Sequence, residues 1–314
     1  MVLSHLRNII FLIFLFALGA CNSYKIASSQ ANRKFKKAEM EHHIVPFGDF
    51  QIDYWDNHKA DKPVLLLING FGASTKFQWL HQVGDLSPHF RLVVPNLLYF
   101  GKSKPIQQSG YEISDQLNML ETLVQNLDIN RFALCGVSYG GLISAEFARL
   151  HPEQIEKLIL FDTPVKYFKK EHLDEMAATY GVESFMDIFA PDDHHGLKIL
   201  LELAYQKPPK IPVALLKSPH REMYVPNLEH LKEILNRLPS QIDDYAQKEY
   251  LFDFPTLLLW GENDDVIPKE VGEQLNTHMH HSQFKLISDC KHMPNLEKPK
   301  TFNPILLDFL LSEN

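Results

Sequence analysis

The sequence predicts one large α/β domain with a helical insertion in its second half, and three observations predict it. The runs Pro63 to Ile68, Phe132 to Cys135, Ile155 to Phe161 and Pro255 to Trp260 are almost continuously apolar, as expected of strands buried on both faces. An amphipathic helix, Ile113 to Leu127, places Leu117, Leu120, Val124 and Leu127 on one stripe between two such strands. The strand rhythm then stops between Phe161 and Pro255. That interval carries helical patterns such as Leu228 to Leu238 and breakers at Pro208, Pro209, Pro212 and Pro226. With 45% hydrophobic residues in 314, the chain can bury a large core.

The N-terminus is of a different character. Met1 to Arg7 carries a single Arg, Ile9 to Leu18 is almost wholly apolar, and Leu18, Gly19 and Ala20 lead into Cys21. This is the n-region, h-region and small-residue cleavage site of a secretory signal. The apolar run falls short of the ~20 residues that span a bilayer. Leu-Gly-Ala-Cys also resembles a bacterial lipobox, which implies that residues 1–20 are a lipoprotein signal peptide and that Cys21 is lipidated. Asn22, by resemblance to Gram-negative lipoproteins, implies the periplasmic side of the outer membrane. Residues 21–41 are polar, show no apolar period and are expected to be a solvated tether. Lys and Arg number 31 against 39 Asp and Glu, a net charge of -8 with no basic stripe, which argues against nucleic acid binding. Cys135 and Cys290 are expected at the tops of separated strands, too far apart to pair, as two free buried thiols.

In chain order, the domain opens with a hairpin, His43 to Phe47 and Phe50 to Trp55 around Gly48 and Asp49. The strand Pro63 to Ile68 ends in Asn69, Gly70, Phe71, Gly72, Ala73, Ser74. A glycine-bearing loop there can turn the Phe71 backbone N–H toward a reaction centre. The strand Arg91 to Pro95 leads into Asn96 to Ser103, and the helix near Ser114 delivers the chain to Phe132.

The next stretch organises the rest: Gly136, Val137, Ser138, Tyr139, Gly140, Gly141, between an apolar strand and a helix-like run. G-x-S-x-G in that setting is a nucleophile elbow, whose serine is held in a strained conformation with its hydroxyl exposed. Side chains two residues before or after Ser138 would collide across the turn. The helix N-terminus offers the Tyr139 N–H to a developing oxyanion.

With these residues in view, the chain resembles an α/β-hydrolase along essentially its whole length after residue 41. Asn69 to Ser74 is similar to the family's His-Gly-Phe-Gly loop, with Asn for His. Asn96 to Ser103 is similar to its Asp-Leu-x-Gly-x-Gly-x-Ser loop, with Asn for Asp and Tyr99 for a Gly. The resemblance implies a mostly parallel eight-stranded sheet with helices on both faces and a helical cap between strands six and seven. Residues 42–164 and 249–314 would form the core and 165–248 the cap.

Beyond the elbow, Gly261 to Pro268 resembles the loop that carries the family's acid and places it at Asp264. Asp265 and Asp162, which also ends a strand, stand as rivals. His292, in Asp289 to Pro299, matches the family's histidine, with Lys291 where Gly is usual. The order Ser138, Asp264, His292 is the one the fold demands. The groups Asp192 to His195 and His278, His280, His281 are read as polar turns, because adjacent side chains diverge and make a poor metal shell.

The expected activity is hydrolysis of carboxylic esters by a Ser-His-Asp acyl-enzyme route. Phe71 and Tyr139 would form the oxyanion hole, and neither metal nor organic cofactor is needed. A carbon–carbon bond hydrolase with the same triad and a non-catalytic lipoprotein on a vestigial hydrolase fold are the alternatives. Tyr167, Phe168, Tyr180, Phe185, Met186, Phe189, Tyr205 and Tyr224 could line an acyl pocket, and Gln206 to Pro212 weakly resembles the cap of monoacylglycerol-lipase-like members. The expected partners are therefore a small ester or lipid and, through Cys21, a membrane.

Overall fold

A computed structural model of the protein describes residues 23–72, 74–107 and 110–313. The signal segment and Cys21 lie outside the described residues. The chain forms one nine-stranded sheet: β1 (Glu41–Phe47), β2 (Phe50–Asp56), β3 (Val64–Ile68), β4 (Arg91–Pro95), β5 (Lys104–Pro105), β6 (Phe132–Val137), β7 (Ile155–Phe161), β8 (Thr256–Gly261) and β9 (Ser282–Ile287). The order is β1-β2-β4-β3-β6-β7-β8-β9, with β5 off the path beside β2. From β4 to β9 every pairing is parallel, whereas β1, β2 and β5 pair antiparallel. The path has the eight strands expected. The ninth, β5, is two residues long and too short to show a period.

Alternation along these strands divides the interior in two. Leu66, Ile68, Leu134, Leu158, Leu160 and Leu258 face one core, and their neighbours Leu65, Leu67, Cys135, Ile159, Phe161 and Leu257 face the other. A sheet buried on both faces accounts for apolar runs without polar interruption. Cys135 and Cys290 are free and buried, and burial raises both thiols' pKa. The helix after β5 is Ile113–Asn126, and its N-terminus is held by a reciprocal box between Glu112 and Asp115 rather than by Ser114.

Between β7 and β8 the chain is helical, with Glu171–Tyr180, Gly196–Ala204, Val213–Met223 and Leu228–Ala246 its longer pieces. The polar tether is corrected. Residues 23–37 form a helix, in which Ala31 and Phe35 are fully buried and the Phe35 ring packs 4.8 Å from Trp55. Tyr24, Ala27, Ala31, Phe35 and Ala38 recur at intervals of three and four, so an inward stripe exists. It escapes notice because three of its members are alanines set among Lys, Gln and Asn. Among the described residues no helix is long and apolar enough to cross a membrane.

Candidate active site

Parallel strands deliver their C-terminal ends to one edge, and the candidate residues lie along it. Val137 at the end of β6 pairs with Phe161 of β7, and Phe161 with Leu259 of β8, so Ser138, Asp162 and the Gly261 to Asp264 turn follow consecutive neighbours. Ser138 begins the helix Ser138–Leu150 with φ +51°, the left-handed region that a serine adopts only where the surroundings impose it. The imposing contacts are visible. A Cβ on Gly136 would overlap Ser144 Oγ and the Gly140 carbonyl, and one on Gly140 would overlap the Asn69 carbonyl. Strand, helix and Asn69 loop therefore close on each other at backbone distance.

His292 is 4% exposed, and its Nδ1 lies 2.8 Å from Asp264 Oδ2. A carboxylate at Nδ1 selects the tautomer that donates there and leaves Nε2 free as a base. Asp264 is held in turn by two backbone donors, Val266 N at 2.8 Å and Ile267 N at 3.1 Å, both on Oδ1. The rivals are placed elsewhere. Asp265 turns outward to Tyr180 Oη at 3.0 Å and Lys291 Nζ at 2.6 Å. Asp162 is buried behind Asp264, accepts from Gly261 N at 2.9 Å through Oδ1, and has φ +47°. Burial, and then the Asp264 charge, holds its carboxyl well above the usual range.

The loop after β3 faces the elbow. A Cβ on Gly70 would stand 3.4 Å from Ser138 Cβ, and the Phe71 ring meets the rings of Tyr139 at 5.7 Å and Phe100 at 5.0 Å. The two asparagines that depart from the family loops tie those loops together. Asn69 Oδ1 accepts from Leu97 N at 3.3 Å, and Asn96 Oδ1 from Thr75 N at 2.9 Å. Tyr99, where the family has Gly, has a positive φ of +70°, and its ring stacks against Tyr111 of the core and His230 of the insertion, which also touch each other.

Above this edge lies a cavity of about 290 Å³. His292 and Phe71 form part of its floor, and Phe189, Leu197, Leu200, Leu216 and Met223 of the insertion form much of its wall. Of the aromatic candidates, Phe189, Tyr205 and Tyr224 line it, and Tyr167, Phe168, Tyr180, Phe185 and Met186 do not. Tyr224 Oη donates to the Gly72 carbonyl and so fixes the wall to the floor. Two further wall residues, Tyr24 and Ala27, come from the N-terminal helix. Their signal was the inward stripe of that helix. Three-donor clusters among the described residues are Asp162 with Asp264 and His292, and Glu41 with His43 and His58. The first is already committed to the Asp264–His292 hydrogen bond, and the second is largely exposed on the β1–β2 hairpin. Asp192 to His195 form a surface turn in which Asp193 Oδ1 accepts from His195 N at 2.7 Å.

A strained serine elbow, a buried Asp–His pair and a covered apolar cavity at the strand tops define a hydrolase of the α/β type. The chain belongs to the alpha/beta hydrolase fold family, which it matches over residues 63–299. It is 25% identical over 265 residues to the 2-hydroxy-6-oxononadienedioate/2-hydroxy-6-oxononatrienedioate hydrolase of Escherichia coli K12, covering 83% of this chain and 91% of that one. Among solved structures, it superposes on a membrane phospholipase A described as a bacterial virulence factor with TM-score 0.78 and 24% identity, covering 97% of each chain. A putative lipase from Acinetobacter baumannii AYE gives TM-score 0.80 at 22% identity, over 90% of this chain and 95% of the lipase.

Proposed function

We propose that the protein is a serine hydrolase cleaving carboxylic esters of apolar, lipid-like acyl groups. Ser138 Oγ attacks the ester carbonyl carbon as His292 Nε2 takes its proton. The oxyanion is held by the Phe71 and Tyr139 N–H groups. The carbonyl re-forms, the alkoxy C–O bond breaks, and His292 returns the proton to the departing oxygen. Water, deprotonated by the same imidazole, then releases the acid and regenerates Ser138. Asp264 keeps His292 in the required tautomer and stabilises its cationic form.

The observation that carries the substrate class is the cavity wall around His292, which is built of leucines, phenylalanines and methionines. Each acyl CH₂ that leaves water there is worth up to ~0.8 kcal/mol. The carbon–carbon reading has the Escherichia coli relative in its favour, whose named substrates are dicarboxylates. Among the described residues, however, no Arg or Lys lines the interior of this cavity to hold two carboxylates. The similar structures named for phospholipase and lipase activity agree with the ester reading. In the same proposal Cys21 carries a lipid that keeps the enzyme on the periplasmic side of the outer membrane.

Measuring kcat/KM on p-nitrophenyl esters from acetate to laurate tests the proposal, and a rise with chain length to a medium-chain maximum is expected. A maximum at acetate, or hydrolysis of a 6-oxo-dienedioate in preference to every ester, would overturn it. Cys21→Ser is expected to abolish lipid attachment and leave the chain unprocessed or mislocalised. A mature N-terminus at another residue would remove the anchor from the proposal.

A further inference from the structure

The cavity has a rim that water does not favour. Ile26 is 54% exposed, Ile211 39% and Val225 52%, all high for large apolar side chains. All three sit in the segments that wall the cavity: Ile211 is itself a wall residue, Ile26 falls between the wall residues Tyr24 and Ala27 in the chain, and Val225 follows Tyr224. Exposed apolar side chains scattered singly need no explanation, but three in the two segments that wall one cavity do.

This rim is not a loose tail. Ser23 Oγ donates to the Leu215 carbonyl of the insertion at 2.6 Å, and Lys76 Nζ of the core donates to Ser28 Oγ at 2.7 Å. The N-terminal helix is thereby pinned to both layers. Exposed Lys25, Lys210 and Lys217 stand in the same segments, and among the described residues none of the three forms an ion pair. In the same segments Lys207 pairs with Asp289 and Arg221 with Glu222, each at 2.8 Å. A locally cationic rim on a chain of net charge -8 is complementary to an anionic surface. The residues preceding Ser23 carry the apolar Ile9 to Leu18 run, and the chain enters the fold at this rim rather than at the far side.

We propose that the cavity mouth is a membrane-docking face. Ile26, Ile211 and Val225 enter the headgroup boundary of an anionic bilayer while Lys25, Lys210 and Lys217 meet its phosphates, so that acyl chains pass from the bilayer into the cavity without crossing water. The docking stands on the rim itself, and only the identity of what enters rests on the ester reading. The arrangement also explains why a helix just behind the proposed anchor forms part of the wall: it fixes which way the cavity faces.

The test uses the full chain and hydrogen exchange read by peptide, with vesicles of phosphatidylcholine alone or mixed with phosphatidylglycerol. Slower exchange in peptides covering residues 24–30 and 207–226 is expected with the anionic vesicles, more than with phosphatidylcholine alone. The double variant Ile26→Glu, Val225→Glu is expected to lose that protection. It should also lose at least tenfold in turnover of long-chain esters presented in those vesicles, while hydrolysis of dissolved p-nitrophenyl butyrate stays within twofold of wild type. Unchanged exchange at the rim of the wild-type chain, or protection that survives both glutamates, would overturn the proposal. Rim protection in a chain that hydrolyses no ester would refute the ester reading and leave the docking face in place.

Discussion

The strand-top edge and the helical layer above it are built by different means. At the edge, position is set by backbone: ladder pairing fixes which turn follows which, and close approach of Gly136 and Gly140 to neighbouring main chain leaves no freedom at Ser138. The layer above is attached by side chains. Asn227 Nδ2 reaches the Tyr99 carbonyl at 2.9 Å, Gln241 Oε1 accepts from Ile113 N at 2.8 Å, and Glu297 accepts from Gln206 N and Lys207 N at 3.0 Å each. Tyr224 Oη on the Gly72 carbonyl, Tyr111 Oη with His230 Nδ1 at 3.0 Å and Arg237 with Glu112 at 2.7 Å add further side-chain ties. The candidate reacting groups therefore sit where backbone fixes position, and the cavity wall where leucines and methionines can repack at small cost. Substitutions in the two regions should fail in distinguishable ways.

The largest expected effect is at the edge. Ser138→Ala is expected to abolish fluorophosphonate labelling and to lower ester turnover by on the order of 10⁵- to 10⁶-fold, with its melting temperature little changed. Full activity in that variant would remove the serine from the mechanism. Asp264→Asn follows, with a loss on the order of 10⁴-fold, because an amide at His292 Nδ1 no longer selects the tautomer. Asp162→Asn is its control and is expected to leave activity within one order of magnitude. If it were the more damaging change, the acid would have to move to the end of β7.

The N-terminal helix gives an intermediate effect, on stability rather than turnover. Phe35 is fully buried against Trp55, so Phe35→Ala is expected to cost about 3–5 kcal/mol in denaturant unfolding. A cost near zero would return the segment to the solvated tether of the sequence reading.

That segment shows where legibility ended. The core strands were readable because burial on both faces forbids polar residues, so each announced itself as an apolar run. The elbow was readable because steric closure admits only glycine at Gly136 and Gly140. The Asp264 and His292 positions were readable from the loops around them, since the fold dictates their order. Residues 23–37 were not, because an alanine stripe buries a helix face without raising local hydrophobicity. The cavity wall was only half legible. Composition pointed to aromatic residues, but Leu197, Leu200 and Leu216 line it as well, and no local rule separates a leucine facing a cavity from one facing a neighbouring helix.

In the upper layer, Leu200→Phe adds bulk to the wall and is expected to shorten the preferred acyl chain. With up to ~0.8 kcal/mol per methylene, each excluded CH₂ lowers kcat/KM by up to about fourfold. Laurate should suffer and acetate should not, as the ester series would show. An equal fall for all esters would place Leu200 in the floor with the reacting groups.

The smallest expected effect sharpens the electrostatics behind the edge. Asp162 is fully buried, burial and the Asp264 charge raise its folded-state pKa, and Oδ2 has no hydrogen-bond donor among the described residues. In the unfolded chain it titrates near the ordinary value of about 3.9. Below that value both states hold the proton, and the site contributes fully to stability. As pH rises the unfolded chain releases its proton while the folded chain retains it, so the contribution declines until the raised folded pKa is passed. Asparagine mimics the protonated group in shape and does not titrate. Asp162→Asn should therefore change the melting temperature little near pH 4 and raise it by about 2–4 °C near pH 8. A difference of the same size at both pH values would mean that Asp162 titrates alike in the folded and unfolded chain, and that the charge behind His292 is shared between two ionised carboxylates.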